Sequence, residues 1–214
     1  RYVMKRSVLS FLALSVAALP AMADTSQVYN LTGFDELDVA AGVDVKFTRA
    51  AEYSVKADFE KGSPEDVKVK LSDDRLYLSL KSNTGWGKKV RVTFYVTAPQ
   101  LEEIEASSGS SLLAEGLASE DVELNVSRGA SVSMYGTCST LKIKATSGGA
   151  ANAKGLTCET VKATANSGGA IGAHASSSAT SKTSSGGSVD IYGNPPSRSA
   201  NKSISGGSTD FHDS

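Results

Sequence analysis

The sequence predicts an all-β fold: a parallel β-helix of coils of about 20 residues, preceded by an N-terminal region of antiparallel strands. The first observation is a phrase of small residues around a glycine, which occurs six times in the second half of the chain. Its central glycines are Gly109, Gly129, Gly148, Gly168, Gly186 and Gly206. A fixed period near 20 residues is typical of proteins that stack one structural unit per repeat.

The second observation is that apolar and polar residues alternate on both sides of each central glycine. Before Gly129, for example, Val122, Leu124 and Val126 are separated by single polar residues. Alternation with a period of two predicts a strand with one buried face. Each coil is therefore predicted to run as strand, glycine corner, strand and return segment, with glycine supplying the left-handed backbone that a sharp corner needs.

The predicted interior becomes smaller and more polar toward the C-terminus. Leucine and valine give way to Ala163, then to Ser181 and Asn201 at equivalent positions, and Ser203 follows in the last repeat. Because stabilisation scales with the buried apolar area, we expect the last coils to be the least stable. Phe211 is expected to act as a partial cap on the final coil.

Residues 24–100 form the other part of the predicted architecture. Six short segments alternate here, at residues 37–39, 43–47, 53–57, 67–71, 76–80 and 90–96. Short turns between such strands predict antiparallel hairpins, which we expect to pack on and cap the β-helix of residues 101–214. The two parts together make a single mature domain, residues 24–214.

Residues 1–23 are predicted to be a signal peptide. Lys5 and Arg6 precede an apolar run over residues 8–19, which is too short to cross a bilayer comfortably. Cleavage is expected after Ala23, followed by export to the periplasm, the cell surface or the medium. An uncleaved membrane anchor is the alternative. No later segment is apolar enough to predict a transmembrane span.

The chain has two cysteines, Cys138 and Cys158, at the same phase of consecutive coils. Each lies ten residues before a corner glycine, Gly148 or Gly168. Stacked coils are about 4.8 Å apart, which is within reach of a disulfide. An exported protein meets an oxidising compartment, so we expect a Cys138–Cys158 bridge. Two free, buried thiols are the alternative.

Composition and motifs argue against several function classes. The formal net charge is −1, which provides no long-range attraction to nucleic acid. The sequence has two histidines and no nucleophile elbow, phosphate-binding loop or zinc-binding spacing. We therefore expect no catalytic site, no metal and no cofactor. A carbohydrate-active enzyme built on a β-helix is the alternative, and a self-associating structural protein is a third interpretation.

One outward row of side chains is a candidate binding surface. It takes one residue per coil, just past the second strand: Glu115, Tyr135, Lys154, His174, Tyr192 and His212. Aromatic and hydrogen-bonding groups spaced by about 4.8 Å could contact an extended sugar chain. Ordinary decoration of a strand end is the alternative interpretation.

A second outward row is rich in lysine. Its members are Lys144, Lys182 and Lys202, and Lys142 and Lys162 flank it. Such a row could attract an anionic polysaccharide. It could equally protect strand edges, because lysines discourage association between sheets.

Several phrases together resemble the auto-transporter adhesin head GIN domain family of exported bacterial proteins. They are residues 34–39, 42–47 and 96–99 and the Ser-Ser-Gly-Ser corner at residues 107–110. The resemblance extends from about Leu31 to the end of the chain. It implies a right-handed β-helix with a β-rich N-terminal portion and, by analogy, adhesion at a cell surface. It carries over no catalytic residue. The implied partners are a surface polysaccharide, another envelope or host-surface component, or a second copy of the chain.

Overall fold

The computed structural model of the chain describes residues 25–82, 89–202 and 205–213. The predicted signal peptide, residues 1–23, lies outside the described residues, and so does Ser203. A short 3₁₀ helix covers Pro64–Asp66. The strands are β1 Thr25–Tyr29, β2 Glu36–Ala40, β3 Asp44–Arg49, β4 Ser54–Lys61, β5 Val67–Ser72, β6 Arg75–Leu80, β7 Arg91–Ala98, β8 Glu103–Ala106, β9 Ser111–Val126, β10 Ser131–Ala145, β11 Ala150–Ala165, β12 Ala170–Thr183, β13 Ser188–Tyr192, β14 Ser197–Lys202 and β15 Ser208–Phe211.

The second half of the chain is a parallel stack, which confirms the predicted β-helix. β9, β10, β11 and β12 pair in parallel, each with the next, so that Leu124, Ile143 and Ala163 lie directly above one another. The stack continues above β12, where β14 pairs with the end of β12 and β13 with its beginning. The chain therefore rises by one layer at each repeat of about 20 residues.

The Ser-Gly phrases form the corners between the two sheets of each layer. Ser147 and Gly148 have φ values of 51° and 73°, and the Gly149 N–H donates to the Thr146 carbonyl at 2.9 Å. Two successive left-handed residues closed by this hydrogen bond are typical of a type I′ turn. The same pair recurs at Ser108–Gly109, Arg128–Gly129, Ser167–Gly168 and Ser185–Gly186. The last predicted corner glycine, Gly206, also has a positive φ of 86°.

The parallel stack begins earlier in the chain than the sequence predicted. β2 and β3 are joined by an Ala41–Gly42 corner with φ values of 57° and 74°, which match those of the later corners. β2 pairs in parallel with β6 and β8, and β3 pairs in parallel with β7 and β9. These two strands do not form a hairpin with each other. The corner directs the apolar side chains of both strands into one shared interior.

The predicted antiparallel strands are present at the base of the stack. β4 pairs antiparallel with both β1 and β7, and β5 and β6 form a hairpin across Asp73–Asp74. The layer made by β6 and β7 lies beneath the layer of β2 and β3. The order of layers at the base therefore differs from the order of the strands along the chain.

The predicted decline of the interior from base to top is confirmed. Phe47, Phe94 and Leu78 are fully buried near the base, where the large apolar side chains are concentrated. Near the top, the polar residues Ser181 and Thr183 are buried beside the smaller apolar side chains of Val189 and Ile191. All six residues of β14 are exposed. The top of the stack therefore buries little apolar surface.

The predicted disulfide is also confirmed. Cys138 in β10 and Cys158 in β11 are directly opposite each other, with their Cα atoms 4.5 Å apart, and their sulfurs are bonded. Both cysteines are buried. The bridge therefore ties two adjacent layers in the middle of the stack.

Candidate functional site

The candidate binding row lies on the outer surface, where the second strand arm of each layer ends. Met134, Ala153, Ala173 and Ile191 face the interior, and each immediately precedes a member of the row. We call the row of Glu115, Tyr135, Lys154, His174, Tyr192 and His212 the outward column. Its members lie one per layer, but their side chains make different contacts.

Tyr135 is the most exposed aromatic side chain of the outward column. A register shift between β10 and β11 places it opposite Gly155 rather than opposite Lys154. A Cβ atom on Gly155 would lie 2.3 Å from Cδ1 of Tyr135, so the ring rests directly on the glycine backbone. The Tyr135 residue remains 44% exposed. It is therefore both fixed against the stack and accessible to a ligand.

Lys154 reaches across a whole layer of the stack. Its alkyl chain passes over Gly172, where a Cβ atom would lie 2.6 Å from Cε of the lysine. Its Nζ atom lies 4.5 Å from the centroid of the Tyr192 ring. A hydrogen bond with the Tyr192 side chain raises the pKa of Lys154 above its ordinary value. The lysine is thus held in place as a cation on the ring.

Tyr192 is enclosed between the layers below and above it. The His212 ring stacks on it at a centroid distance of 4.6 Å and an interplanar angle of 16°. His212 Nε2 lies 2.7 Å from Oδ1 of Asp190. Because Lys154 approaches from below and His212 from above, Tyr192 does not present a free ring face. A sugar-binding row in which Tyr135 and Tyr192 are equally exposed is not what the structure shows.

His174 packs against the backbone of the next layer. A Cβ atom on Gly193 would lie 2.7 Å from Cε1 of the imidazole. His174 is half-buried, and its Nδ1 atom is buried without a hydrogen-bond partner among the described residues. Glu115, one layer below Tyr135, is exposed. The structure therefore brings Lys154, Tyr192 and His212 together and leaves the other members of the outward column separate.

A shallow depression of about 280 Å³ lies beside the outward column. Small residues line it, including Ala150, Ala170 and Gly172, and the alkyl chain of Lys154 lies over Gly172. Its polar lining is provided by Ser131, Ser133, Asn152, Lys154 and Asp190. Tyr135 stands next to it, because its ring rests on Gly155, the residue after Lys154.

Asn152 and Ser133 line this depression, but the sequence did not predict either residue as part of a site. Ser133 and Asn152 are directly opposite each other, and Asn152 is opposite Gly172, so the three form an outward row two positions before the outward column. The repeat period could have identified this row, because the same alignment of the coils applies to the outward position two residues before the outward column. A row that contains serine, asparagine and glycine has no aromatic or cationic residue to draw attention to it.

The lysine row lies on the other sheet, before the corners. Lys142 is directly opposite Lys162, and Lys144 and Lys182 are both opposite Thr164. Lys202 falls outside this register, because Lys182 is opposite Asn201. The predicted row is thus interrupted by Thr164 between Lys144 and Lys182, and Lys202 is displaced by one residue at the last layer.

Two structural observations concern the described ranges only. Across residues 25–82, 89–202 and 205–213, no three histidine, cysteine or acidic side chains are grouped so that they could hold a metal ion. In the same ranges, no helix has the length and apolar character needed to cross a membrane.

Comparison with known families gives one match. The sequence profile of the family described as "Putative auto-transporter adhesin, head GIN domain" matches residues 33–195. The match includes the base of the stack, most of the corners and the outward column as far as Tyr192. No curated protein matches the sequence.

Three solved structures are similar to this chain. A protein from Bacteroides fragilis, described as a "putative adhesin", has a TM-score of 0.70 and 17% identity, with 91% of this chain and 99% of that chain covered. A "putative adhesin" from Parabacteroides merdae has a TM-score of 0.50 and 14% identity, with 88% and 95% covered. A "putative lipid binding protein" from Parabacteroides distasonis has a TM-score of 0.48 and 12% identity, with 88% and 96% covered. The first of these similarities establishes a shared fold.

Proposed function

The chain belongs to the family described as "Putative auto-transporter adhesin, head GIN domain", and we propose that it is an exported, non-catalytic binding protein of the bacterial envelope. Its ligand is an extended glycan chain, held in the shallow depression beside Tyr135. Adhesion to a surface polysaccharide is the function that this binding serves.

One observation carries the proposal: hydrogen-bonding side chains lie beside small residues next to an exposed aromatic ring. Asn152, Asp190 and Lys154 offer an amide, a carboxylate and an ammonium group at the depression. These groups can bond to neighbouring hydroxyls of a sugar, since together they provide both donors and acceptors. The Tyr135 ring offers an apolar face and a hydroxyl to the same ligand.

The shape of the site also supports a polymeric ligand. The rows beside the depression repeat once per layer at a spacing of about 4.8 Å. The small side chains of Ala150 and Ala170 leave room for a chain beside the alkyl part of Lys154, which covers Gly172. A short, enclosed ligand would instead need a deep pocket that buries most of its surface.

Export is supported by two features of the chain. The family description is that of an exported or surface protein, and the Cys138–Cys158 bridge forms readily in an oxidising compartment. We propose that residues 1–23 direct export and are removed after Ala23. The mature protein then acts in the periplasm, on the cell surface or in the medium.

A glycan array probed with the purified protein tests the proposed function. The informative variant is Tyr135→Ala, which should lower binding at least tenfold, because it removes the exposed ring and leaves the enclosed Tyr192 intact. Tyr95→Ala is the matched control: Tyr95 in β7 is 41% exposed and lies outside the depression. The Tyr95 variant should bind like the unmodified protein.

Three outcomes would count against the proposal. Folded protein that binds no glycan, or binding that is equal in the Tyr135 and Tyr95 variants, contradicts glycan recognition beside Tyr135. Cleavage of a bound glycan would instead favour the carbohydrate-active enzyme, for which Lys154, Tyr192, His212 and Asp190 are the convergent titratable groups.

A further inference from the structure

The outer face of the sheet before the corners has acidic and basic halves. We call this surface the charged face. In its lower three layers, β2, β8 and the second half of β9, the outward side chains include six acidic ones: Glu36, Asp38, Glu103, Glu105, Asp121 and Glu123. In its upper three layers, at the ends of β10, β11 and β12, they include four lysines: Lys142, Lys144, Lys162 and Lys182.

We infer that the charged face is a self-complementary docking surface for a second copy of this chain, turned so that the acidic layers of each copy face the lysine layers of the other. The inference does not rest on the proposed glycan site, which lies on the other sheet.

The charged face keeps like charges together within one copy. The parallel register places Asp38 opposite Glu105 and Lys142 opposite Lys162. Like charges directly opposite each other in a sheet are destabilising. Burial raises the pKa of Asp38, and the neighbouring Glu105 raises it further. Arg75 offsets part of this repulsion among the carboxylates, and a second copy that brings the opposite charge to each half would offset the rest.

The chain neutralises the charges of the two halves of this face unequally. Arg75 forms ion pairs with Glu36 and Glu103, each at 2.7 Å, and with Glu105 at 3.4 Å. At the boundary between the halves, Lys142 Nζ lies 3.7 Å from Oε2 of Glu123. Across the part of the chain that the structure describes, Lys144, Lys162 and Lys182 have no ion-pair partner. A surface that bears carboxylates would provide the ion-pair partners that these lysines lack.

A two-fold symmetric arrangement of two copies matches the acidic layers with the lysine layers. A two-fold axis along the strands, between the layers of Glu123 and Lys142, would exchange these two layers between copies. The same rotation places the Glu103 layer against Lys162 and the Asp38 layer against Lys182. Every acidic layer thus meets a layer containing lysine, as an isologous interface requires.

The size of the face predicts a weak dimer. Six layers at about 4.8 Å extend over about 24 Å, and a five-residue arm is about 17 Å long, so each copy contributes a flat area of about 400 Å². The two copies together would bury about 800 Å², which is below the range of stable complexes and in the range of weak, transient ones. Because the contacts are solvent-accessible charges, raising the ionic strength from about 0.05 M to about 0.5 M should weaken the dimer at least about tenfold.

Sedimentation equilibrium of two charge-reversal variants and their mixture tests the docking. Lys142→Glu/Lys144→Glu makes the central layers acidic in both halves, and Asp121→Lys/Glu123→Lys makes them basic. Each variant alone should be monomeric at low salt. An equimolar mixture should recover the dimer, because the two altered layers are then complementary. Glu120→Lys/Glu159→Lys, which alters exposed carboxylates outside the charged face, should dimerise like the unmodified protein.

Any of three results would overturn the inference. The first is an unmodified protein that is monomeric at low salt up to its solubility limit. The second is a dimer that is indifferent to salt and to both reversals. The third is folded variants, checked by circular dichroism, that fail to associate when mixed. None of these results depends on glycan binding.

Discussion

At the scale of single residues, glycine determines which side chains of the outward column can lie against the stack. Gly155, Gly172 and Gly193 each provide the space that a side chain from the layer below occupies. Tyr135, Lys154 and His174 use these spaces in turn. The outward column is thus a set of side chains seated on the backbone of the following layer.

This seating predicts the effect of adding one methyl group. Gly155→Ala should displace the Tyr135 ring, since the new Cβ would lie 2.3 Å from it. We expect a loss of about 1 to 3 kcal/mol in the free energy of unfolding, as for other overpacked sites. Urea denaturation measures it. Asn152→Ala, at an exposed position of the same strand, should change the stability by less than about 0.5 kcal/mol, and equal effects of both substitutions would contradict the seating.

The sequence predicted the position of each site residue within its coil, but it did not predict which groups that residue contacts. The glycine period placed Cys138 opposite Cys158, because an in-register parallel pair leaves no other arrangement. The same period could not show that Tyr135 lies on Gly155, since a register shift intervenes between Ser133 and Tyr135. It also could not show that Lys154 spans a layer to reach Tyr192. Such contacts depend on side-chain direction, which spacing alone does not contain.

At the scale of strands, the corner is the unit that was predicted best, and its first occurrence was missed. Ala41–Gly42 adopts the same left-handed pair of residues as the Ser-Gly corners, but it lacks the serine that made them recognisable. In addition, β2 is flanked by β6 and β8 rather than by its neighbours in sequence. Alternation identifies strands, but it does not identify partners that are separated along the chain.

The disulfide between β10 and β11 provides a prediction at this scale. Cys138→Ser should lower the stability by about 3 kcal/mol, the chain-entropy value for a loop of about 20 residues. The fold should persist, because the two strands remain paired along their length. Thermal denaturation measures the loss, and reduced unmodified protein should melt like Cys138→Ser/Cys158→Ser. Complete thiol labelling of the native, unreduced protein would contradict the bridge.

At the scale of the whole molecule, the stack has a well-packed base and a thinly packed top. Large apolar side chains fill the lower layers, whereas the buried positions near the top are fewer and include Ser181 and Thr183 beside Val189 and Ile191. In stacked proteins, each layer is stabilised mainly by its neighbours. The last layer has a neighbour only below it in the part of the chain that is described.

This gradient predicts the order in which the molecule opens. Amide hydrogens of β14 and β15 should exchange fastest, and those of β2 and β3 slowest, because the latter lie between two layers around a large apolar core. Hydrogen exchange followed by mass spectrometry resolves these segments. β9 and β10 provide an internal reference of intermediate protection. Equal protection at both ends of the stack would contradict the gradient.

The order of the layers at the base has a consequence for folding. β2 can acquire both of its neighbours only when residues 36–106 are all available, because β6 and β8 lie on its two sides. The base of the domain is therefore closed by non-local contacts, which are entropically costly to close and slow to form. Every later layer adds to an existing template over a separation of about 20 residues. When the chain emerges N-terminus first, its base can therefore close only after residue 106 has emerged. Each remaining layer can then add to the stack as soon as its own residues emerge.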